Sequence, residues 1–250
     1  MSITNQYFMK VVAHLQQLHD STPSAILEAA ECIADQIKQD KLVYAYGPGG
    51  HSNLASQEIF FRAGGLMHIN AILDEGTLLS SGALRSMTIE RLPGYGNIVM
   101  KESGIQSGDV LLLINAYGIN SATIDAALYA KEHGIRLIAV TSVQHASLTP
   151  SEHPARHPSK HNLHDLADIV LDCNVPVGDA IVEIEGLDQK VSAISTFANA
   201  FLLNCLIAET VNLLIKEGIT PPIWMSGNMT GGDEANARFI HRFKNRIRVL

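Results

Sequence analysis

The sequence has few cysteines, and they are poorly placed for cross-linking. The 250 residues contain three, Cys32, Cys173 and Cys205, which are far apart and form no CxxC pair. An odd number of isolated thiols argues against a disulfide framework and is typical of a protein from a reducing compartment. No signal peptide is expected either, because the N-terminus "MSITNQYFMKVV" lacks a basic segment followed by an apolar one. The sequence therefore predicts a cytoplasmic protein.

Charged residues are also scarce, at 17% of the chain. Such a low content predicts that part of the surface is buried against another copy of the chain. The net charge of −7 disfavours binding to nucleic acid or to an anionic membrane. The basic residues near the C-terminus are expected instead to pair with a neighbouring subunit.

A long, uninterrupted apolar run is absent. The nearest candidate, "FANAFLLNCLIAETVNLLI", is broken by Asn199, Asn204 and Glu209. Polar residues at these intervals indicate a buried core helix, and no membrane span is predicted.

What the sequence does have is a regular alternation of short apolar runs with helical patterns. The apolar runs are "LVYAY" (42–46), "LMHINAI" (66–72), "DVLLLINA" (109–116), "IRLIAVTS" (135–142) and "DIVLDC" (168–173). This alternation predicts an α/β protein in which helices cover both faces of a parallel sheet, a three-layer α-β-α arrangement. We expect one domain over residues 1–250, with an N-terminal helix at 1–20, a core at about 24–217 and a C-terminal tail at 218–250.

A glycine-rich turn, "YGPGGHSN", follows the first strand and precedes a helix predicted over 51–63. It has three possible roles: a tight turn, a dinucleotide cradle or a sugar-phosphate cradle. The dinucleotide pattern GxGxxG is matched by Gly47 and Gly49 but has Ser52 in its third place, and Asp74 lies late for a ribose-binding acid. An NAD-dependent enzyme is therefore a weaker alternative. At the carboxyl edge of a parallel sheet, such a turn brings backbone N–H groups close to an anion.

The helix after this turn carries ionisable residues within its apolar face. His51, Glu58 and Arg62 project into one narrow sector. An i, i+4 ion pair between Glu58 and Arg62 explains the arrangement without a function. A binding site at the sheet edge or at a subunit contact also explains it, because burial there would raise the pKa of the carboxylate.

Several stretches resemble the SIS (sugar isomerase) domain family, and more narrowly a phosphoheptose-isomerase-like bacterial branch of it. They are "LVYAYGPGGHSNLASQEIFFRAGGL", "SGDVLLLINAYGINSATIDAALYAKEHGIRLIAVTS", "STFANAFLLNCLIAETVNLL" and "PPIWMSGNMTGGDEAN", and the likeness runs over roughly the whole chain. The resemblance implies a five-stranded parallel sheet of flavodoxin-like type, and homodimers or homotetramers with sites at subunit contacts. Members isomerise aldose and ketose phosphosugars, cleave lactyl ethers, or sense sugar phosphates.

The chain departs from this family at its phosphate loop. Where phosphosugar-binding members carry S-x-S-x-x-T, this chain has "NAYGIN", so Asn115, Tyr117 and Asn120 replace the hydroxyl residues. Ser121 follows and also fits a helix N-cap. The substitutions leave a phosphate, another anionic group or a neutral sugar possible. The full set of predicted substrate-binding residues is Gly47, Gly49, Gly50, Ser52, Asn115, Tyr117, Asn120, Ser121 and Arg62.

Aldose–ketose isomerisation through an enediolate needs a base that reaches two carbons and an acid that opens the ring. Glu58, nearest the glycine turn, and Glu75, at the end of a strand, are the predicted bases, and His51 is the predicted acid. Glu90 is another candidate, but its position in a helix suggests an exposed side chain. We predict a sugar isomerase, and a non-catalytic sugar-binding protein is the alternative.

A histidine-rich stretch is the remaining candidate for a metal site. Its members are His145, His153, His157, His161 and His164. The four-residue steps within this cluster would align on a helix, but Pro154 and Pro158 prevent a regular helix there. No cysteine completes a zinc set. We therefore predict neither metal nor cofactor.

Overall fold

The computed structural model describes residues 1–250 and contains a five-stranded parallel sheet. Its strand order is β2-β1-β3-β4-β5. The strands are β1 Val43–Tyr46, β2 Ile69–Ile72, β3 Val110–Ile114, β4 Arg136–Thr141 and β5 Ile169–Asp172. Helices cover both faces, so the predicted α/β fold with a five-stranded parallel sheet is confirmed.

Ten helices accompany the sheet. They are α1 Ile3–Ser21, α2 Pro23–Lys38, α3 Gly50–Ile59, α4 Ala83–Glu90, α5 Tyr95–Glu102, α6 Ser121–Glu132, α7 Val143–Leu148, α8 Leu163–Leu166, α9 Ser195–Lys216 and α10 Gly232–Phe243. A short antiparallel hairpin of β6 Ala180–Val182 and β7 Val191–Ala193 precedes α9. This hairpin is absent from the sequence-based prediction, because three-residue strands carry too little periodicity to detect.

The sheet separates two apolar cores, and its central strand contributes to both. In β3, Val110, Leu112 and Ile114 face α2, α3 and α9, while Leu111 and Leu113 face α5 and α6. All five residues are buried, which is why this strand is apolar at every position. The two cores hold the ends of the strands in fixed positions relative to the helices that follow them.

Helix α3 ends four residues earlier than predicted. Phe60 is extended and Phe61 has a positive φ of 49°, and the Phe61 ring lies 4.6 Å from that of Trp224. The chain next pairs with the C-terminal tail, where the Gly64 N–H donates to the Trp224 carbonyl at 2.8 Å. This long-range pairing competes with the helix and also explains why β2 begins at Ile69 and not at residue 66.

The C-terminal tail packs on its own chain. Arg242 and Arg246 pair with Asp40 at 2.9 and 3.3 Å. These two residues therefore have a partner in their own chain, because the tail folds back beside the loop after α2. The pairing of the basic residues with a neighbouring subunit stays a prediction.

Helix α9 is the one helix that is long and apolar enough to cross a membrane. In this fold it packs against α1, α2 and α3.

Candidate functional site

The candidate site lies where two neighbouring strands, β1 and β3, end. Tyr46 of β1 is in register with Leu113 of β3, so the glycine turn and residues 115–120 leave the sheet side by side. In this strand order, ligands bind at the β1/β3 switch point. A cavity of about 80 Å³ is present there, lined by Gly49, Gly50, His51, Ser52, Glu90, Asn115, Ala116, Tyr117, Asp179, Ser195 and Asn199.

Two of the glycines in the turn are required by close contacts. A Cβ at Gly47 would lie 2.1 Å from the Ser52 carbonyl oxygen. Gly49 has a φ of 96°, and a Cβ there would lie 2.7 Å from the Glu90 carboxylate. Gly49 therefore permits both the shape of the turn and the position of Glu90 against it.

Glu90, the last residue of α4, contributes the carboxylate of the cavity. Its Oε1 accepts a hydrogen bond from Asn115 Nδ2 at 3.3 Å. Burial raises the pKa of Glu90 to about 7, an effect that outweighs this hydrogen bond. The expectation that Glu90 is an exposed helical residue is therefore wrong. Its position depends on packing between α4 and the glycine turn, about forty residues apart in sequence.

The first turn of α3 forms another wall. The first backbone hydrogen bond into this helix is Asn53 N–H to the Gly49 carbonyl, at 3.0 Å. The N–H groups of Gly50, His51 and Ser52 therefore have no acceptor within the helix, and no side chain caps them. Together with the dipole of α3, they favour negative charge that develops in the cavity.

The N-terminal end of α9 closes the cavity. Asp179 accepts from Ser195 N–H at 2.8 Å and from Ser195 Oγ at 2.7 Å, so it caps this helix. One turn further, Asn199 is 2% exposed and its Oδ1 has no hydrogen-bond partner. Asp179 is absent from the predicted site. The one sequence signal that marks its position is the turn-forming stretch "PVGD" (176–179), which ends with this residue.

A second cavity of about 480 Å³ adjoins the first, and Glu90 and Tyr117 line both. The Tyr117 ring stacks on His145 with centroids 4.4 Å apart. Burial raises the pKa of Tyr117 and lowers that of His145, so both rings are uncharged near neutral pH. Asn120 lies in this larger cavity. The polar cavity therefore opens into a roomier and more apolar one.

The structure gathers part of the predicted binding set. Gly49, Gly50, Ser52, Asn115 and Tyr117 line the small cavity together with His51, the predicted acid. Gly47 and Ser121 do not line it. Asn120, not Ser121, occupies the N-cap position of α6, and Ser121 is the first helical residue.

The two predicted bases lie elsewhere. Glu58 accepts from Asn204 Nδ2 at 3.3 Å and pairs with Arg62 Nε at 3.4 Å, which is the non-functional explanation of that pair. Glu75 is exposed and lines a separate cavity of about 420 Å³ beside α5. No contact joins either carboxylate to the cavity at the glycine turn, and their catalytic roles stay predictions.

This fold and the position of its cavity define the class of the protein. The family model described as "SIS domain" matches residues 6–142. Within that class the chain belongs to the UPF0309 family. It is 35% identical to the UPF0309 protein GK1441 of Geobacillus kaustophilus over 98% of this chain and 96% of the relative. It is 37% identical to the UPF0309 protein BCAN_B0929 of Brucella canis over 98% of this chain and 97% of that one.

Two solved structures share the fold. A phosphoheptose isomerase from Francisella tularensis superposes with a TM-score of 0.52 at 19% identity, covering 83% of this chain and 95% of that one. Phosphoheptose isomerase GmhA from Neisseria gonorrhoeae gives a TM-score of 0.50 at 16% identity, covering 82% of this chain and 96% of that one. The predicted resemblance to SIS-domain proteins is confirmed.

Proposed function

We propose that the protein is an aldose–ketose sugar isomerase that acts through an enediolate, with Glu90 as its base. The observation that carries this proposal is the half-buried Glu90 carboxylate against the glycine turn, with its pKa raised by desolvation to about 7. A base with a pKa near the working pH combines a deprotonated population with useful proton affinity. Of the three candidate glutamates, Glu58, Glu75 and Glu90, only Glu90 lines the cavity at the β1/β3 switch point.

The residues suggest how the proton moves. Glu90 takes the proton from C2 of the open-chain aldose, and the electron pair of the broken C–H bond forms the C1–C2 double bond of an enediolate. A proton passes from O2 to O1, and Glu90 returns its proton to C1, which gives the ketose. The free N–H groups of residues 50–52 stabilise the negative oxygen, as donors preorganised at developing charge do. His51, exposed at the mouth of the cavity, is the proposed acid for ring opening.

The two fold neighbours are named phosphoheptose isomerases, so sugars are tested both free and as their phosphates. Glu90 replaces Glu58 and Glu75 as the favoured base, while Gly49, Gly50, Ser52, Asn115 and Tyr117 stay the proposed substrate contacts. An NAD-dependent reaction is not favoured, since Asp74, the candidate ribose-binding acid, accepts a hydrogen bond from Tyr95 OH at 3.0 Å.

The second candidate function is a non-catalytic sugar-binding protein, favoured by the replaced family loop at residues 115–120. Hydrogen exchange at C2 distinguishes the two. Aldoses and their phosphates are incubated with the protein in D₂O, and the C2–H signal is followed by NMR; for ketoses, which have no hydrogen on C2, the C1–H signals are followed instead. The isomerase proposal predicts loss of that signal and appearance of the isomer with at least one sugar. Sugars that raise the melting temperature but never exchange C2–H would establish the binding protein instead.

A further inference from the structure

We infer that the end of the substrate held by residues 115–120, the β3–α6 loop, is uncharged, so that the protein takes a neutral polyhydroxy chain there and not a phosphate group. This inference rests on the proposed function and names its substrate class. It follows from the hydrogen bonds of the loop, from the charges around the cavity and from one buried acceptor.

Two backbone donors of the β3–α6 loop are satisfied by a side chain of the loop itself. Asn115 Oδ1 accepts from the Tyr117 N–H at 3.1 Å and from the Gly118 N–H at 2.8 Å. Asn115 Nδ2 donates to the Pro48 carbonyl at 3.1 Å and to Glu90. Backbone N–H groups in a loop are the usual grip on an anion, but here two of them are already occupied by a side chain of the same loop. A phosphate would have to displace Asn115 to reach them.

The charges around the small cavity also oppose a phosphate. None of its lining residues is a lysine or an arginine, and two of them, Glu90 and Asp179, carry carboxyl groups. His51 is the sole lining side chain that can become a cation. A phosphate dianion held there would be desolvated beside two carboxyl groups, and like charges brought together oppose binding. The free N–H groups of residues 50–52 belong to the α3 wall, where the proposed function uses them for the enediolate oxygen, and Arg91 lines the larger cavity only.

Asn199 adds a positive argument for hydroxyl groups. Its Oδ1 is buried, faces no donor in the protein and belongs to a residue that lines the cavity. A buried acceptor without a partner costs free energy until a donor reaches it. Sugar hydroxyls donate and accept, whereas a phosphate dianion only accepts. The cavity thus offers acceptors to a donor-rich ligand.

The first test uses inorganic phosphate as the probe. Backbone amide NMR spectra of the wild-type protein and of Asn115→Ser are recorded during titration with sodium phosphate, with sodium chloride of equal ionic strength as the control. We expect the Tyr117 and Gly118 signals of the wild type to match the chloride control, and those of Asn115→Ser to move in a saturable way. Saturable movement in the wild type overturns the inference. If the signals of the folded variant also fail to move, the Asn115 side chain is not what prevents phosphate from binding, and the inference is wrong in that case too.

The second test compares each free sugar with its phosphate ester in the wild-type protein. Dissociation constants and C2–H exchange rates are measured for aldose pairs such as glucose and glucose 6-phosphate. We expect the phosphate ester to bind at least about tenfold more weakly, because like-charge juxtaposition costs more than the 1.4 kcal/mol that a factor of ten represents. Faster exchange with phosphate esters overturns this inference and leaves the isomerase proposal standing. If free sugars bind more tightly than their phosphates but do not exchange C2–H, the inference stands and the isomerase proposal fails.

Discussion

At the scale of single residues, three glutamates of one chain have three different surroundings. Glu58 is engaged in an ion pair, Glu75 is exposed, and Glu90 is largely removed from water beside the glycine turn. Desolvation penalises the charged form of a carboxylate, so the pKa of Glu90 rises to about 7. The chemistry assigned to Glu90 depends on this environment, because a glutamate in water would be a weaker base.

The raised pKa of Glu90 makes folding stability depend on pH. Between the unfolded pKa of about 4.5 and the folded value of about 7, the folded state binds more protons than the unfolded state. The free energy of unfolding therefore falls as the pH rises through this window, by at most on the order of 3 kcal/mol. We expect Glu90→Gln to remove this loss, so that the variant gains stability over the wild type at pH 8 but not at pH 5.

Chemical denaturation at both pH values measures this difference, and Glu75→Gln is the matched control on an exposed carboxylate. His68, whose pKa burial lowers to about 4, has the opposite pH dependence, but it is present in all three proteins and cancels in the comparison. An equal effect of Glu90→Gln at pH 5 and pH 8 would show that the carboxyl is not desolvated.

At the scale of elements, the turn between β1 and α3 needs glycine for two separable reasons. Gly49 and Gly64 both have positive φ, but a Cβ at Gly49 meets the Glu90 carboxylate whereas a Cβ at Gly64 meets nothing within 4 Å. We expect Gly49→Ala and Gly64→Ala each to lose about 1–3 kcal/mol of stability from backbone strain at a positive φ. Only Gly49→Ala should also abolish C2–H exchange, because it displaces Glu90. Full exchange in a folded Gly49→Ala variant would contradict the proposed geometry.

The cap on α9 is a second element-scale feature. Asp179 accepts hydrogen bonds from Ile194 N–H and Ser195 N–H, at 3.0 and 2.8 Å. Asp179→Asn replaces a charged acceptor with an amide, and we expect a loss of about 1–3 kcal/mol in the free energy of unfolding. Asp188→Asn, on an exposed residue of the same hairpin that forms no hydrogen bond, should change stability little. Equal effects in thermal denaturation would mean that the Asp179 cap contributes nothing.

The sequence predicts elements whose signal is local, and it fails where distant segments decide. Apolar runs locate all five strands of the sheet, and Gly47 with Gly49 marks the turn, because these patterns reflect burial and steric need in the chain itself. The end of α3 depends on Trp224, and the burial of Glu90 depends on the packing of α4 against the turn. Neither contact leaves a periodic pattern, so Glu90 looked like an ordinary surface helix residue.

At the scale of the whole molecule, the oligomeric state stays a prediction, and an exposed apolar face on α1 supports it. Phe8 and Val12 of α1 are 60% and 45% exposed and lie one turn apart on the same face. We expect light scattering to give two or four times the chain mass of 27.1 kDa. Phe8→Asp should lower that mass, because it places a charge in the apolar face. Met229→Asp, on an exposed apolar residue of the tail, is the control, and a monomeric wild type would contradict the prediction.

The most direct test of the central claim compares C2–H exchange in D₂O among the wild type, Glu90→Gln, Glu58→Gln and Glu75→Gln, with a sugar that the wild type exchanges. Removing the base from a proton transfer costs about 10²- to 10⁴-fold in rate. The account predicts that Glu90→Gln loses exchange by this factor, while the other two variants stay within a few-fold of the wild type. Wild-type exchange in a folded Glu90→Gln protein, or loss only in Glu58→Gln or Glu75→Gln, would contradict it.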